Sequence, residues 1–420
     1  MGRTTACALA VAAVTGAACR TAPAPRDSVD EAARSYVRLV LALGERDADS
    51  LDSYHGPAAW QAQARAEHAT LADIRARARA LADSLVAHTP DRVDDERERR
   101  AFLVRQLRAV ASRIDVLQGA RPPFDEEARL LFGLEPGGVA EDADAIRAEL
   151  DRVLPGRGDL ASRYAAFDRQ FLVQPDRLRA VLARAIDGCR AATRAHVPLP
   201  DDTVAVELVG DLPWSAFTRY EGGFASRVQV NAALPLTVDR ALDLACHEAY
   251  PGHHTINVLL DARFGGRRPE LLVQPLFSPQ SLLHEAAASL APSLVFPDAD
   301  RAVFERDALF PIARLDPSRA GRYVAVARLV DRLHPVVGVL ARRYLDGALD
   351  FPRAAAALER EALMPSADAA LKFMNQFRSY AATYTIGRDR LARLVGGDWA
   401  AYVRAVTDPA QTLPPLHGGK

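Results

Sequence analysis

Pro251-Gly252 stands inside a stretch of helical periodicity, and no regular helix can run through it. Proline lacks the amide donor and crowds the carbonyl one turn back, while glycine admits backbone angles closed to other residues. The helix that opens after Thr237, an N-cap with Asp239 in its first turn, must therefore bulge or break here. The break falls within His247-Glu248-Ala249-Tyr250-Pro251-Gly252-His253-His254, so three of the chain's 10 histidines sit on either side of it.

The rest of the chain frames that break with helices. Over 98–119, Phe102, Leu103, Leu107, Val110, Ile114 and Leu117 recur at three- and four-residue steps, which predicts one apolar helical face. Pro122-Pro123, Pro136-Gly137-Gly138 and Pro155-Gly156 mark loops between such helices. The pattern changes at Pro198. Val204, Val206 and Leu208 alternate with less apolar neighbours, as do Val228 and Val230, with Glu221-Gly222-Gly223 between them as a turn. The expected fold is mostly α, with a small antiparallel β element of two or three strands before the histidine-bearing helix. A helical N-terminal subdomain over 30–197 and a second subdomain over 198–410 are expected, followed by a tail at 411–420. With 420 residues, 49% of them apolar, the chain can bury a large core. Its net charge of −1 argues against nucleic acid as a partner, because phosphate binding needs a surplus of cations.

Arg3 precedes a small, apolar run over 6–19, too short to span a bilayer and suited to the core of a secretory signal. Gly16-Ala17-Ala18-Cys19 also fits a lipoprotein cleavage site, with 1–19 as the signal, Cys19 as the lipidated residue and 20–29 as a tether. An extracytoplasmic location is expected, in the periplasm or at the cell surface, with membrane attachment only through a lipid on Cys19. Of the later cysteines, Cys189 and Cys246 either form one bridge in an oxidising compartment or stay as two buried thiols.

His-Glu on a helix opens the zincin arrangement, in which the histidine binds Zn²⁺ and the glutamate activates water. A regular zincin places its second histidine four residues on, where this chain has Pro251. On an unbroken helix His253 and His254 would lie about 9 and 10.5 Å further along the axis, too far to share one ion. Either the Pro-Gly break absorbs two residues, or the segment is a helix end with incidental histidines.

The string H-E-A-Y-P-G-H-H resembles the signature of the bacterial family called domain of unknown function 885, whose members are similar to gluzincin-type metallopeptidases. Asn231 before the motif, Asp331-Arg332-Leu333-His334, and Tyr384-Thr385-Ile386-Gly387 resemble further family pieces, so the likeness spans about 203–395. It implies a long-helix, gluzincin-like architecture and a zinc-dependent hydrolase, foremost a peptidase acting on peptides, with small amides or esters as alternative substrates. The metal ligands it implies are His247, His253 and Glu285, with His254 competing for the second place and Glu248 as general base. His334, oriented by Asp331, and Tyr384 are implied as donors to the oxyanion. A substrate strand could pair with the sheet edge near Asn231. Two departures stand out: Glu285-Ala286-Ala287-Ala288 replaces the family's E-G-W-A, and Arg378-Ser379-Tyr380-Ala381 replaces its P-G-Q-A, which makes Arg378 a candidate clamp for a substrate carboxylate. These departures leave a second reading open, a helical binding or scaffold lipoprotein with a structural or degenerate metal site.

Overall fold

The computed structural model describes residues 29–88, 95–135, 137, 142–210, 212 and 214–413. The expected signal, Cys19, most of the tether and residues 414–420 of the tail lie outside these. Within them the chain is mostly helical, as expected. The helices used below are α1 (Val29–Gly44), α2 (Leu71–Ala87), α3 (Asp95–Leu117), α4 (Pro175–His196), α5 (Val238–Glu248), α6 (His253–Phe264), α7 (Pro279–Val295), α8 (Ala320–Asp331), α9 (His334–Leu345) and α10 (Trp399–Thr407). Among the described residues no helix is long and apolar enough to cross a membrane.

Local chemistry explains several of the ends. Thr70 and Asp73 form a reciprocal capping box at the start of α2. α5 starts after Thr237 as expected, although the Thr237 hydroxyl donates to Asp239 Oδ1 (2.8 Å) and caps no amide. α3 buries Phe102, Leu103, Leu107, Val110 and Ile114, the stripe seen in the sequence.

The β element is a three-stranded sheet of β2 (Thr203–Val209), β3 (Ala216–Gly222) and β4 (Ala225–Asn231), in the order β2-β4-β3. The hairpin β3–β4 is antiparallel, as expected from Gly222-Gly223. β2, however, runs parallel to β4, because the chain leaves β2, crosses to the far edge as β3 and returns between them. Asn231 therefore ends the central strand and offers no sheet edge. Its side-chain amide donates to the carbonyls of Leu212 (2.8 Å) and Trp214 (3.1 Å), closing that crossing instead. A second, two-stranded sheet pairs β1 (Leu51–Tyr54) with β5 (Val273–Pro275).

Two apolar cores result, and each draws on residues from both sides of residue 197. One gathers α1, α2, α3, α6 and the C-terminal helices around Tyr36, Phe102, Leu260 and Leu371. The other gathers α4, α5, β4 and α8 around Phe171, Val228, Leu242 and Tyr323. α7 belongs to both, giving Leu282, Leu283 and Ala286 to the first and Ala291 and Val295 to the second. The seam between the cores thus runs past the middle of α7.

α5 is fixed at this seam from two directions. Fully buried Arg301 donates to Asp243 Oδ1 (2.7 Å), to Glu305 Oε1 (2.9 Å) and to the Asp239 carbonyl (2.9 Å). Cys246 forms a disulfide with Cys189 of α4, with Cα atoms 5.6 Å apart, which selects the bridged alternative of the two left open by the sequence. Closing a loop over a separation of 57 residues removes unfolded-state entropy worth about 4 kcal/mol. The Cys189→Ala/Cys246→Ala double variant is therefore expected to unfold at clearly lower guanidinium concentration than the oxidised protein. An unchanged midpoint would show that the bridge does not stabilise the fold.

Candidate metal centre

α5 stops at Glu248 and the chain doubles back through 249–252 before α6 begins at His253. Gly252 allows this. A Cβ there would lie 1.7 Å from the carbonyl oxygen of His247, so backbone touches backbone where any side chain would stand. The Gly252 amide donates to the Cys246 carbonyl (3.0 Å), and the Tyr250–Pro251 peptide is cis. Tyr402 of α10, fully buried, donates to the Pro251 carbonyl (3.0 Å) and lies 3.4 Å from the Ala287 carbonyl, tying the doubled-back segment to α7.

The result is convergence. His253 Nε2 lies 3.2 Å from His247 Nε2, against the roughly 9 Å of axial rise on an unbroken helix. Glu285 on α7 completes the group, with Oε1 3.2 Å from His253 Nε2 and Oε2 3.5 Å from His247 Nε2. Three donors bound tetrahedrally to one ion at 2.0–2.1 Å are about 3.3 Å apart. The closest approaches of the three residues, with Oε1 toward one imidazole and Oε2 toward the other, are 3.2–3.5 Å, and one ligand atom from each lies within 4.8 Å of the others. Two imidazole nitrogens and one carboxylate oxygen are also a donor set that zinc takes. Glu285 Oε2 is buried without a hydrogen-bond partner, a condition that buried polar atoms rarely tolerate. The residues present therefore fit a zinc ion.

The electrostatics point the same way. Burial opposes the charged form of His253, but the carboxylates of Glu285, Glu248 and Asp52 outweigh it and push the imidazole up to about 9. Burial likewise opposes an ionised Glu285, yet His253 and His247 hold its carboxyl well below the usual range. The pocket thus favours positive charge among the three donors.

Glu248 is buried beside them. The Thr218 hydroxyl, on β3, donates to it, lying 2.7 Å from Glu248 Oε2 and 2.9 Å from its carbonyl oxygen. Tyr384 places its ring 6.3 Å from that of His247, at an interplanar angle of 28°. Tyr384 belongs to a single π-helical turn, Thr383–Gly387. A Cβ on Gly387 would meet Leu282 Cδ1 at 2.8 Å and Ala286 Cβ at 3.4 Å, so the missing side chain lets this turn press on α7 on both sides of Glu285. Burial, then Glu285 and Glu248, raises the Tyr384 phenol well above its usual range and keeps it protonated. Tyr380 stands against it with ring centroids 5.5 Å apart.

Other expected residues lie elsewhere. His254 turns away from the group, its Nδ1 2.8 Å from Ser226 Oγ and its Nε2 3.8 Å from Asp202 Oδ2, and burial pushes it down to about 4. Of the two histidines after the break, His253 is the one that converges. The expected Asp331–His334 pair is not formed among the described residues. Arg388 takes the Asp331 carboxylate with two hydrogen bonds (2.9 and 2.7 Å), while burial and Arg388 push His334 down to about 4. Arg378 is no free clamp either, because its Nε donates to Glu127 Oε2 at 2.6 Å and is held there. Four groups of the site carried no sequence signal: Asp52, Thr218, Tyr380 and Tyr402. Three of them stand outside the motifs, and Tyr380 falls in the segment that departs from the family pattern.

No protein-family model and no curated protein matches this chain. The likeness to domain of unknown function 885 accordingly stays a likeness of motifs. Among solved structures, the chain is similar to a candidate lipoprotein from Colwellia psychrerythraea at 14% identity, covering 82% of this chain and 68% of that one with a TM-score of 0.45. It is similar to a candidate lipoprotein of unknown function from Shewanella oneidensis at 14% identity, covering 84% and 74% with a TM-score of 0.44. It is also similar to the M32 carboxypeptidase from Deinococcus radiodurans R1 at 17% identity, covering 91% and 88% with a TM-score of 0.36. All three TM-scores are below 0.5, and they assign this chain no activity.

Because Gly252 Cα abuts the His247 carbonyl, Gly252→Ala is expected to push the two histidines apart. Zinc affinity, measured by competition with a chromophoric chelator, should fall at least tenfold, as it does when the groups holding ligands in place are removed. Wild-type affinity in that variant would show that the backbone contact does not set the ligand spacing.

Proposed function

We propose that the chain is an exported zinc-dependent hydrolase that cleaves peptide bonds. The observation that carries this reading is the mutual 3.2–3.5 Å spacing of His247, His253 and Glu285, with Glu248 next to them in the same pocket. Three protein donors leave a fourth position open, which is the pattern of a catalytic site, whereas a structural site is closed by four. That favours an enzyme over a scaffold with a structural ion. The apolar leader and the Cys189–Cys246 bridge support an extracytoplasmic setting, since disulfides persist where the surroundings oxidise.

When bound, zinc supplies a Lewis acid that acidifies water and polarises a carbonyl. Glu248 takes the proton from the attacking water and returns it to the leaving nitrogen. The Thr218 hydroxyl on Oε2 holds the carboxylate in orientation and leaves Oε1 for that proton. The protonated Tyr384 phenol donates to the carbonyl oxygen as negative charge develops on it. Among the described residues β3 is hydrogen-bonded to β4 alone, and β1 packs against it. His334 has no part in this sequence of steps.

Two variants separate binding from chemistry. Glu248→Gln is expected to bind one zinc per chain and to lose hydrolysis of a mixed peptide library by a factor of about 10³ or more. His247→Ala should lose both. Full activity in the Gln variant would overturn the role of Glu248. Removing the metal with 1,10-phenanthroline should abolish activity and added zinc restore it; activity indifferent to the chelator would overturn the metal-dependent reading.

A further inference from the structure

Asp52 is the carboxylate of the pocket that those steps leave unused. It lies on β1 where pairing with β5 slips: Leu51 opposes Pro275 and Ser53 opposes Gln274, so Asp52 is the extra residue of a bulge. Bulges redirect side chains and recur beside active sites. β1 packs against β3, the strand that carries Thr218 and Arg219. The charges that act on Asp52 are His253, Glu285, Glu248 and Arg219, and its own charge acts on Tyr380. β1 lies against the strand whose Thr218 holds Glu248, so Asp52 stands next to the metal group.

Among the described residues Asp52 has no hydrogen-bond or ion-pair partner. Asp52 is half-buried, and its carboxylate oxygens are not sealed from solvent, so an incoming cation can reach them. Arg219 is exposed and forms no ion pair with it. An unpaired carboxylate beside the metal group is an acceptor suited to a cationic donor, and the substrate is the species that comes to this site.

We propose that Asp52 binds a cationic nitrogen of the substrate close to the scissile bond and so determines specificity. The group is an ammonium, either the free α-amino group of a peptide or the side chain of a basic residue. This inference rests on the metal-dependent reading above.

The test uses the zinc-loaded full chain and three hydroxamates that share one metal-binding group. L-alanine hydroxamate carries an α-ammonium, N-acetyl-L-lysine hydroxamate a side-chain ammonium, and N-acetyl-L-alanine hydroxamate no cation. Dissociation constants are measured by calorimetry for the wild type and for Asp52→Asn. The wild type is expected to bind one of the two cationic probes about tenfold or more tightly than the neutral probe, as charge-assisted hydrogen bonds allow. Which of the two it prefers identifies the source of the ammonium. In Asp52→Asn, loaded with zinc, that preference should vanish while the neutral probe still binds. Equal binding of all three probes by the wild type, including no binding of any, overturns the inference, as does a preference that survives in the variant. A wild-type protein that takes up no zinc in the same calorimeter overturns the metal reading itself, and this inference with it.

Discussion

The contact between the Gly252 backbone and the His247 carbonyl is the constraint on which the site depends. Two histidines six residues apart cannot share an ion on a regular helix, since the rise alone separates them by about 9 Å. Helix α5 must therefore end, and the next must begin almost on top of its last turn. With 1.7 Å between a would-be Cβ and the carbonyl oxygen, residue 252 can only be glycine. The neighbouring groups then act to hold this close approach. Tyr402 fastens Pro251 to α7, Arg301 fastens α5 along its first two turns, and the bridge to α4 fastens the residue before His247.

The location of the site follows from how the cores divide the chain. α5 is packed into one core, α6 mainly into the other, and α7 into both. Glu285 sits on α7 between Leu283 and Ala286 of the first core and a few residues before Ala291 of the second. Its carboxylate is therefore placed at the seam by apolar packing above and below it. Polar and ionisable groups gather there because it is the place where the two apolar interiors meet and neither is continuous. Burial along the seam also strengthens each charge interaction, which is why the donors and carboxylates perturb one another so strongly.

What the sequence disclosed, and what it hid, divides along the same physical line. His247, Glu248 and His253 stand in one short motif whose break Pro251-Gly252 announces, whereas Glu285, which the structure groups with the two histidines, was implied only by the family resemblance. The helical stripe over 102–114 was legible because periodicity is a local property. The parallel placement of β2 was not, because strand order depends on where a crossing loop lands. The Asp331–His334 pair failed for a related reason. Spacing of three put both residues within reach, but α8 ends at Asp331 and α9 starts at His334, and Arg388 from another helix supplies a stronger counter-charge. Asp52 and Thr218 reach the pocket from strands whose sequences carry no motif, and only a bulge and a sheet register bring them there.

On the proposed reading, the disulfide links the site to its compartment. Cys246 directly precedes His247 in the chain and is fully buried in its bridge to Cys189. Thiolates are strong ligands for zinc, so an unbridged chain would offer the ion a competing donor while the segment is still folding. Bridging to Cys189 removes that donor and at the same time fixes the end of α5 against α4. On the proposed reading of an exported zinc hydrolase, the order that suits this chemistry is oxidation first and metal second, the bridge holding His247 in place before the ion is taken up.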